Sequence, residues 1–151
     1  MIVGFTGTQK GMTGAQKLRV GLMLEDTQDI SFARHGDCVG ADGEFDYLCG
    51  VRSINVISHP CDIPGKRAHC LKWHDALPYY LSEMQVKPPM ERNQDIVDGS
   101  DVLITAPAGF EEELRSGTWS TVRKARRRGI PVFIVWPDGT FTVEIPGVER
   151  A

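Results

Sequence analysis

Residues 101–136, DVLITAPAGFEEELRSGTWSTVRKARRRGIPVFIVW, decide the fold class. The stretch begins with a continuous apolar run that closes at Pro107, and it ends with a second continuous run over 131–136. Between the two runs, the small polar turn Arg115-Ser-Gly-Thr118 leads into a helical pattern. Alternating strands have one solvated face, whereas continuous apolar strands are buried on both faces. The stretch therefore predicts a strand, a helix and a second strand of a parallel sheet.

The same unit recurs in the N-terminal half of the chain. A short apolar run over 2–5 ends in Thr6-Gly-Thr8, and Thr13 offers a side-chain cap for a helix over 14–25. Further strands are predicted over 30–33 and 54–57, helices over 41–50 and 92–97, and an alternating edge strand over 141–145. This order predicts a single α/β domain over 1–151, with a Rossmann-like parallel sheet of about five strands, helices on both faces, and a C-terminal edge strand or hairpin.

The helical patterns also predict which side chains face the sheet. In the first helix, Leu18 and Leu22 share one face, with Ala15 beside them. In the second helix, Phe45 and Leu48 are spaced to point inward in the same way.

Residues 58–90 interrupt this regular order of strands and helices. The segment contains five prolines together with Trp73, Tyr79 and Tyr80 among polar residues, and it has room for a short helix near 66–76. A connection of this length in a compact domain is usually a functional loop or lid. We expect part of it to cover a bound ligand by aromatic stacking.

The composition is that of an ordinary globular protein. The 151 residues are 41% hydrophobic and 25% charged, with a net charge of −3 at neutral pH. No apolar run approaches the ~18 residues that a membrane helix needs, and the N-terminus lacks the basic head and apolar block of a signal peptide. We expect a soluble cytoplasmic protein without a cofactor, and the negative charge argues against sequence-blind nucleic-acid binding.

The cysteines form no recognisable redox or zinc motif. Cys61, His69, Cys70 and His74 are residue types that ligate zinc, but their spacing matches no common zinc module. The alternative is that the cysteines are free buried thiols and that the histidines have hydrogen-bond partners. The sequence predicts no metal site on this basis.

Glycine-bearing turns follow three of the predicted strands. The carboxyl ends of parallel strands share one edge of a sheet, which is where ligands of such folds bind. Glycine lets a backbone approach a ligand closely, and a helix that starts after the turn contributes a partial positive charge. The candidate ligand residues in these turns are Gly7, Thr8, Gln9, Gly36, Asp37, Gly40, Ala41, Asp42, Pro107, Arg115, Ser116, Gly117 and Thr118.

The turn before the last helix is the strongest of these candidates for an anion. Its small residues leave backbone amides accessible at the helix start, and Arg115 adds a fixed cation. The alternative is that Ser116 only caps the helix, which requires no ligand. Residues 7–13 lack the Gly-Lys-Ser/Thr ending of a P-loop, and no GxGxxG follows the first strand. These absences argue against an ATPase or an NAD(P) dehydrogenase.

Five motifs resemble the SLOG superfamily, which includes the DNA-processing Smf proteins and the Lonely-guy phosphoribohydrolases. They are Phe5-Thr-Gly-Thr8, His35-Gly-Asp-Cys-Val-Gly-Ala-Asp42, Glu91-Arg-Asn-Gln-Asp-Ile-Val97, Asp101-Val-Leu-Ile-Thr-Ala-Pro107 and Arg115-Ser-Gly-Thr-Trp-Ser-Thr-Val122. The likeness covers nearly the whole chain and is closest to small phage-type members of unassigned function. It implies a Rossmann-like fold that binds a nucleotide or a nucleotide-derived ligand at these turns.

The chain departs from the Lonely-guy enzymes at the position that would carry their catalytic glutamate. When Gly117-Thr118 is aligned with the Gly-Thr of their motif, Thr121 occupies that position. A threonine has no carboxylate with which to activate water or stabilise an oxocarbenium ion. The catalytic residue is therefore unknown, with Asp42 and Glu44 as weak candidates for a relocated carboxylate. Asp37 and the run Glu111-Glu112-Glu113 are further carboxylates, but turn, cap and solvated-loop roles also account for these acids.

The basic stretch Arg123-Lys-Ala-Arg-Arg-Arg128 could contact nucleic acid, as the Smf likeness suggests. Cations at the end of a helix also complement its negative pole, which gives the stretch a structural reason. Trp119, Val122 and Ala125 would then form the inner face of this helix. The leading hypothesis is recognition or sequestration of a nucleotide-type ligand by a possible homodimer. The alternatives are cleavage of an N-glycosidic bond and, third, a DNA-binding helper.

Overall fold

The computed structural model describes residues 1–148 and contains seven strands and four α-helices. The helices follow strands in the alternating order that the sequence predicts, and most bounds agree to within two residues. The elements are β1 (Ile2–Gly7), α1 (Gly14–Asp26), β2 (Phe32–His35), α2 (Ala41–Gly50), β3 (Val56–Ser58), β4 (Leu81–Glu83), α3 (Pro89–Asp98), β5 (Val102–Ala106), α4 (Gly117–Arg128), β6 (Val132–Val135) and β7 (Phe141–Glu144).

All seven strands form one sheet in the order β4-β3-β2-β1-β5-β6-β7. The first six strands pair in parallel, and β7 closes the sheet as an antiparallel partner of β6. The chain therefore builds outward from β1 in one direction through β2, β3 and β4, and then returns to start β5 on the other side of β1. This α/β architecture with its C-terminal antiparallel hairpin confirms the predicted fold class.

Both faces of the sheet carry buried side chains, as continuous apolar strands require. Adjacent residues of β5 show this, because Leu103 packs into a cluster with α3 and α4, whereas Ile104 packs into a second cluster with α1 and α2. In the second cluster the rings of Phe5 and Phe45 stack with their centroids 4.2 Å apart. This stacking fixes α2 directly over β1.

Helix α1 begins where the sequence predicts, but a different face of it is buried. The Thr13 side chain accepts a hydrogen bond from Gln16 N at 3.0 Å, and the Gln16 side chain accepts one from Thr13 N at 3.0 Å, which forms a capping box. The inward prediction for Leu18 and Leu22 is wrong, since they are 67% and 39% exposed. Ala15 is exposed as well.

The buried face of α1 is instead centred on Gln16, Val20, Gly21 and Leu24. The Gln16 amide donates to Pro107 O at 2.9 Å and to Val135 O at 3.0 Å, so a polar residue ties α1 to the ends of β5 and β6. The apolar pattern of the sequence does not reveal this face, because the polar Gln16 is one of its buried residues.

The segment over 58–90 is more regular than its composition suggests. It contains the short 3-10 turns Cys70–Lys72 and His74–Ala76, which occupy the position of the predicted short helix. It also contributes β4, which extends the sheet beyond β3. This strand was not predicted from the sequence. Helix α3 starts at Pro89, because proline is well suited to the first position of a helix.

Within residues 1–148, no helix has the length and apolar character needed to cross a membrane. All four cysteines are buried and free.

Candidate functional site

A pocket of about 410 Å³ opens at the carboxyl edge of the parallel sheet. It lies beside β1, at the point where the chain's connections change direction across the sheet, which is the usual ligand position in such folds. It is lined by Phe5, Thr6, Gly7, Thr8, Gln9, Lys10, Gly36, Cys38, Asp42, Cys61, Ile63, Lys66, Pro89, Arg92, Asn93, Ile96, Ala108, Glu113, Ser116, Gly117, Thr118 and Trp119.

The turn after β1 is held rigidly against its neighbours. Thr8 N donates to Ala106 O at 3.0 Å, while Thr8 O accepts from Gly11 N at 3.2 Å and from Ala41 N at 3.0 Å. The Thr8 hydroxyl accepts from Lys10 N at 3.1 Å. The predicted residues Gly7, Thr8 and Gln9 therefore lie at the pocket on a turn that the protein itself keeps in place.

The glycines in the turns after β1 and β2 are required by internal packing. A Cβ at Gly36 would lie 2.5 Å from Arg92 Nη1, and one at Gly7 would lie 2.5 Å from the Ala41 side chain. Gly40 has a φ of 87°, and a Cβ there would lie 2.4 Å from Gln9 O. Glycine at these positions lets the two turns and the start of α2 approach one another, and so the residues themselves are not direct evidence of a ligand.

Asp42, in the first turn of α2, is a buried carboxylate in the pocket wall. Its Oδ2 accepts from Gly36 N and from Cys38 N, each at 3.1 Å, so it holds the turn after β2. Its buried Oδ1 has no hydrogen-bond partner among the described residues. Burial raises the pKa of the Asp42 carboxyl, and the positive charge of Arg92 opposes that shift.

Arg92 and Asn93 of α3 are pocket residues that the list of candidates omitted. Arg92 is buried, and its Nη1 donates to Gly36 O and, at 3.1 Å, to His59 O. Its Nε donates to Asn93 Oδ1 at 2.7 Å, which leaves the Asn93 amide nitrogen as a donor. Both residues belong to the Glu91–Val97 motif, whose place in the SLOG resemblance was the signal that could have identified them.

Another part of the pocket wall is the start of α4, the helix that follows β5. The Ser116 side chain caps the helix by accepting from Trp119 N at 3.3 Å. The remaining amides of the first turn have no carbonyl partner within the helix. A Cβ at Gly117 would meet no atom within 4 Å, so this glycine borders open space in the pocket. Unlike the other turn glycines, Gly117 is not required by neighbouring protein atoms.

The pocket carries charges of both signs. Lys10 and Lys66 line it and form no ion pair with another residue of the described chain. Glu113 and Asp42 contribute acidic groups. The positive pole of α4 and the charged side chains of both signs make the pocket polar and suited to a ligand with anionic and neutral parts.

Several predicted site residues lie outside this lining. Pro107 O accepts from Gln16, Ala41 begins α2, and Arg115 is exposed beside the pocket-lining Ser116. Asp37 is also outside the lining, and its carboxylate accepts hydrogen bonds from Arg67 and Cys70.

Glu44 and Thr121 are likewise occupied elsewhere. Glu44 accepts from Met12 N at 2.6 Å and pairs with Lys17 at 3.0 Å. Thr121 is buried and donates to Gly117 O at 3.1 Å, within its own helix.

A fully hydrogen-bonded polar network lies one turn further along the same face of α2, and we call it the Asp46 network. Asp37 N donates to His35 Nδ1 at 2.9 Å, which fixes the neutral tautomer, and His35 Nε2 donates to Asp46 Oδ1 at 2.8 Å. Asp46 Oδ2 accepts from Trp73 Nε1 at 2.9 Å and from the Tyr79 hydroxyl. Two of the three aromatic residues that were expected to stack on a ligand thus bind the protein itself.

Asp37 ties the same segment to the sheet. It accepts from Cys70 N at 3.0 Å and from Arg67 Nε at 3.0 Å, and Arg67 also pairs with Glu83 of β4. Burial alone would raise the pKa of Asp37, but these hydrogen bonds outweigh it and hold the pKa below its usual range. Tyr80, the third aromatic residue, is 80% exposed and does not line the pocket.

The zinc-type residues of the sequence are not gathered into one site. Among residues 1–148, the only group of three or more possible metal ligands that lie together is His35, Asp46 and Cys70. His35 and Asp46 are bonded to one another there, and the hydrogen bonds described above occupy the remaining Asp46 oxygen.

The basic stretch of α4 is largely neutralised by acids. Arg126 pairs with Glu112 at 2.7 Å and with Glu144 at 2.8 Å, and Arg123 pairs with Glu112 at 3.1 Å. Arg128 lies 3.4 Å from Asp98. Trp119, Val122 and Ala125 are buried as predicted.

Compared with known proteins, the chain matches no family model and no curated protein.

Proposed function

We propose that the chain binds a nucleotide or nucleotide-derived phosphorylated ligand in the pocket at the carboxyl edge of the sheet. The observation that carries the proposal is the open space at Gly117, at the N-terminus of a 12-residue helix that faces a pocket of about 410 Å³. Unpartnered amides and the positive pole of a helix favour a phosphate there. Lys10 and Lys66 add two cations to the pocket lining.

The rest of the pocket suits the neutral part of such a ligand. Asp42 and Asn93 supply an acceptor and a donor, while Phe5, Ile63 and Ile96 supply apolar contact. The five SLOG-like motifs add the expectation that the ligand is nucleotide-derived, since four of them contribute residues to this lining. Recognition or sequestration requires no catalytic group.

The test is a comparison of two glycines that occupy the first position of a helix. Gly117 of α4 lines the pocket and Gly14 of α1 does not, while a Cβ at either residue would meet nothing within 4 Å. Gly117→Val should weaken binding at least about tenfold, or about 1.4 kcal/mol, because the new side chain fills the phosphate position. Gly14→Val should leave affinity unchanged.

Calorimetry with AMP, ADP, ATP, GMP and inorganic phosphate measures these affinities, and thermal unfolding checks that both variants fold. Equal affinity in Gly117→Val and the unmodified protein would remove the α4 N-terminus from the site. The absence of binding to every compound of the panel by the unmodified protein would contradict the proposal itself.

Asp42 favours N-glycosidic hydrolysis as a second candidate. It is a buried carboxyl group of the pocket lining with one unpartnered oxygen, and burial raises its pKa, as in carboxyl groups that act as general acids. Chromatography of overnight incubations with AMP tests this function. We expect negligible release of adenine; release that is lost in Asp42→Asn but kept in Glu44→Gln would instead establish hydrolysis.

A further inference from the structure

One carboxylate oxygen in the pocket wall lacks the partner that a buried acceptor normally has. Among residues 1–148, four buried side-chain nitrogen or oxygen atoms have no hydrogen bond, namely Arg34 Nε, Asp42 Oδ1, Arg52 Nε and Thr105 Oγ1. Of these four atoms, only Asp42 Oδ1 belongs to a residue that lines the pocket. Asp42 is 5% exposed, so bulk solvent does not replace the missing donor.

The two ends of the pocket select different parts of a ligand. A phosphate is favoured by the positive pole of α4, and it is disfavoured beside the buried Asp42 carboxylate, whose charge solvent screens less than that of the exposed Glu113. The group that approaches Asp42 must therefore be neutral and must donate a hydrogen bond. In a nucleotide whose phosphate lies at α4, the ribose is the next part of the molecule and carries such donors.

We propose that Asp42 Oδ1 accepts a hydrogen bond from a ribose hydroxyl, so that the pocket prefers ribonucleotides to deoxyribonucleotides. This inference rests on the proposed function. The neighbouring wall is consistent with a pair of hydroxyls, because the Asn93 amide nitrogen is a donor once Asn93 Oδ1 accepts from Arg92. A hydroxyl can donate to one group and accept from another.

The substitution Asp42→Asn isolates this contact without removing the structural one. The amide oxygen can continue to accept from Gly36 N and Cys38 N, which places the amide NH2 at the position of Oδ1. The side chain keeps its shape, while the charged acceptor becomes a neutral donor. Glu44→Gln is the matched control, because it removes a carboxylate from the same helix outside the pocket lining.

Calorimetry should compare AMP with 2′-deoxy-AMP and 3′-deoxy-AMP. We expect the unmodified protein and Glu44→Gln to bind AMP at least about tenfold, or about 1.4 kcal/mol, more tightly than one of the deoxy compounds. Asp42→Asn should reduce this preference to threefold or less, while its affinity for the deoxy compound changes little.

Other outcomes separate this inference from the proposed function. Binding of AMP with the same ribose preference in Asp42→Asn as in the unmodified protein would overturn the inference and leave the proposed function standing. A preference for AMP over IMP that Asp42→Asn removes, with no ribose preference, would assign Asp42 to the base and also overturn it. If no nucleotide binds, the proposed function fails first.

Discussion

Asp42 and Asp46 lie one turn apart on α2, and both are buried aspartates, but they meet different numbers of donors. Asp46 accepts from His35, Trp73 and Tyr79, and both of its oxygens are used. Asp42 uses Oδ2 for two backbone amides and has no protein partner at Oδ1. A complete network has a structural explanation, whereas the incomplete one at Asp42 is the basis of the proposed ribose contact.

The contrast also separates the roles of two successive turns on one face of α2. The Asp46 network fastens the segment between β3 and β4, so we infer that this region stabilises the fold. The Asp42 side opens on the pocket, where the turns and the α4 N-terminus leave space. Identical substitutions at the two aspartates therefore give the clearest test of the comparison.

The largest expected effect is the loss of stability in Asp46→Asn. The amide must present its NH2 to His35 Nε2 or to the Trp73 and Tyr79 donors, so at least one buried donor faces another donor. We expect the free energy of unfolding to fall by about 3–5 kcal/mol, the range for breaking a buried, hydrogen-bonded charged group. Urea denaturation followed by circular dichroism measures the change.

The control for this prediction is Asp98→Asn, which weakens a surface pair with Arg128 and should cost less than about 1 kcal/mol. A loss of less than about 1 kcal/mol in Asp46→Asn would show that the network contributes little. The contrast between the two aspartates would then have no energetic meaning.

A second expected effect concerns His59, which is buried beside a cation. Arg34 Nη1 donates to His59 Nε2 at 3.0 Å, and burial together with the charge of Arg34 lowers the pKa of His59 to about 4. Between about pH 6.5 and 4 the unfolded chain binds a proton that the folded chain does not, so stability falls as the pH falls through this window. The expected contribution is roughly 2–3 kcal/mol.

His59→Gln tests this effect, because glutamine keeps a polar acceptor near Arg34 but does not titrate. The variant should lose less stability than the unmodified protein between pH 7 and 4, as measured by urea denaturation at several pH values. Parallel pH profiles for the two proteins would show that His59 is not held neutral. His35 differs from His59 in its partners, because a carboxylate and not a cation lies at its Nε2. Its Nδ1 accepts a backbone N–H, and its Nε2 donates to Asp46.

Most strands, the starts of α1 and α4, and the edge of the sheet that carries the pocket could be predicted from the sequence. Continuous apolar runs identify β1 and β5, and Ser116 and Thr13 identify helix starts, because these signals are local. The strand β4 could not be predicted in this way, since its three residues are partly buried or exposed and owe their conformation to pairing with β3. Short edge strands are set by tertiary contact more than by their own pattern.

The site was predictable in outline and less so in its side chains. The turns bring Gly7, Gly36 and Gly117 to one edge, but only contact distances separate the glycines needed for packing from the one that borders open space. The hydrogen bonds of Trp73 and Tyr79 to Asp46 could not be predicted. A sequence does not reveal which buried acceptor an aromatic donor will meet. Sequence patterns locate elements well, whereas the partner of each polar group depends on the complete fold.

The smallest expected effect is the change in stability of Asp42→Asn. The amide oxygen keeps the hydrogen bonds from Gly36 N and Cys38 N, and no protein donor is lost at Oδ1 because none is present. The substitution also removes a buried group whose pKa is raised by burial, which offsets part of the cost of losing a charged acceptor. We expect the free energy of unfolding to stay within about 1 kcal/mol of the unmodified value. Urea denaturation in parallel with Asp46→Asn measures the difference, and equal losses in the two variants would mean that Asp42, like Asp46, is fully used in holding the fold. A stable Asp42→Asn protein would instead show that the fold does not depend on the Asp42 carboxylate. In the unmodified protein this group would then be available for a ligand.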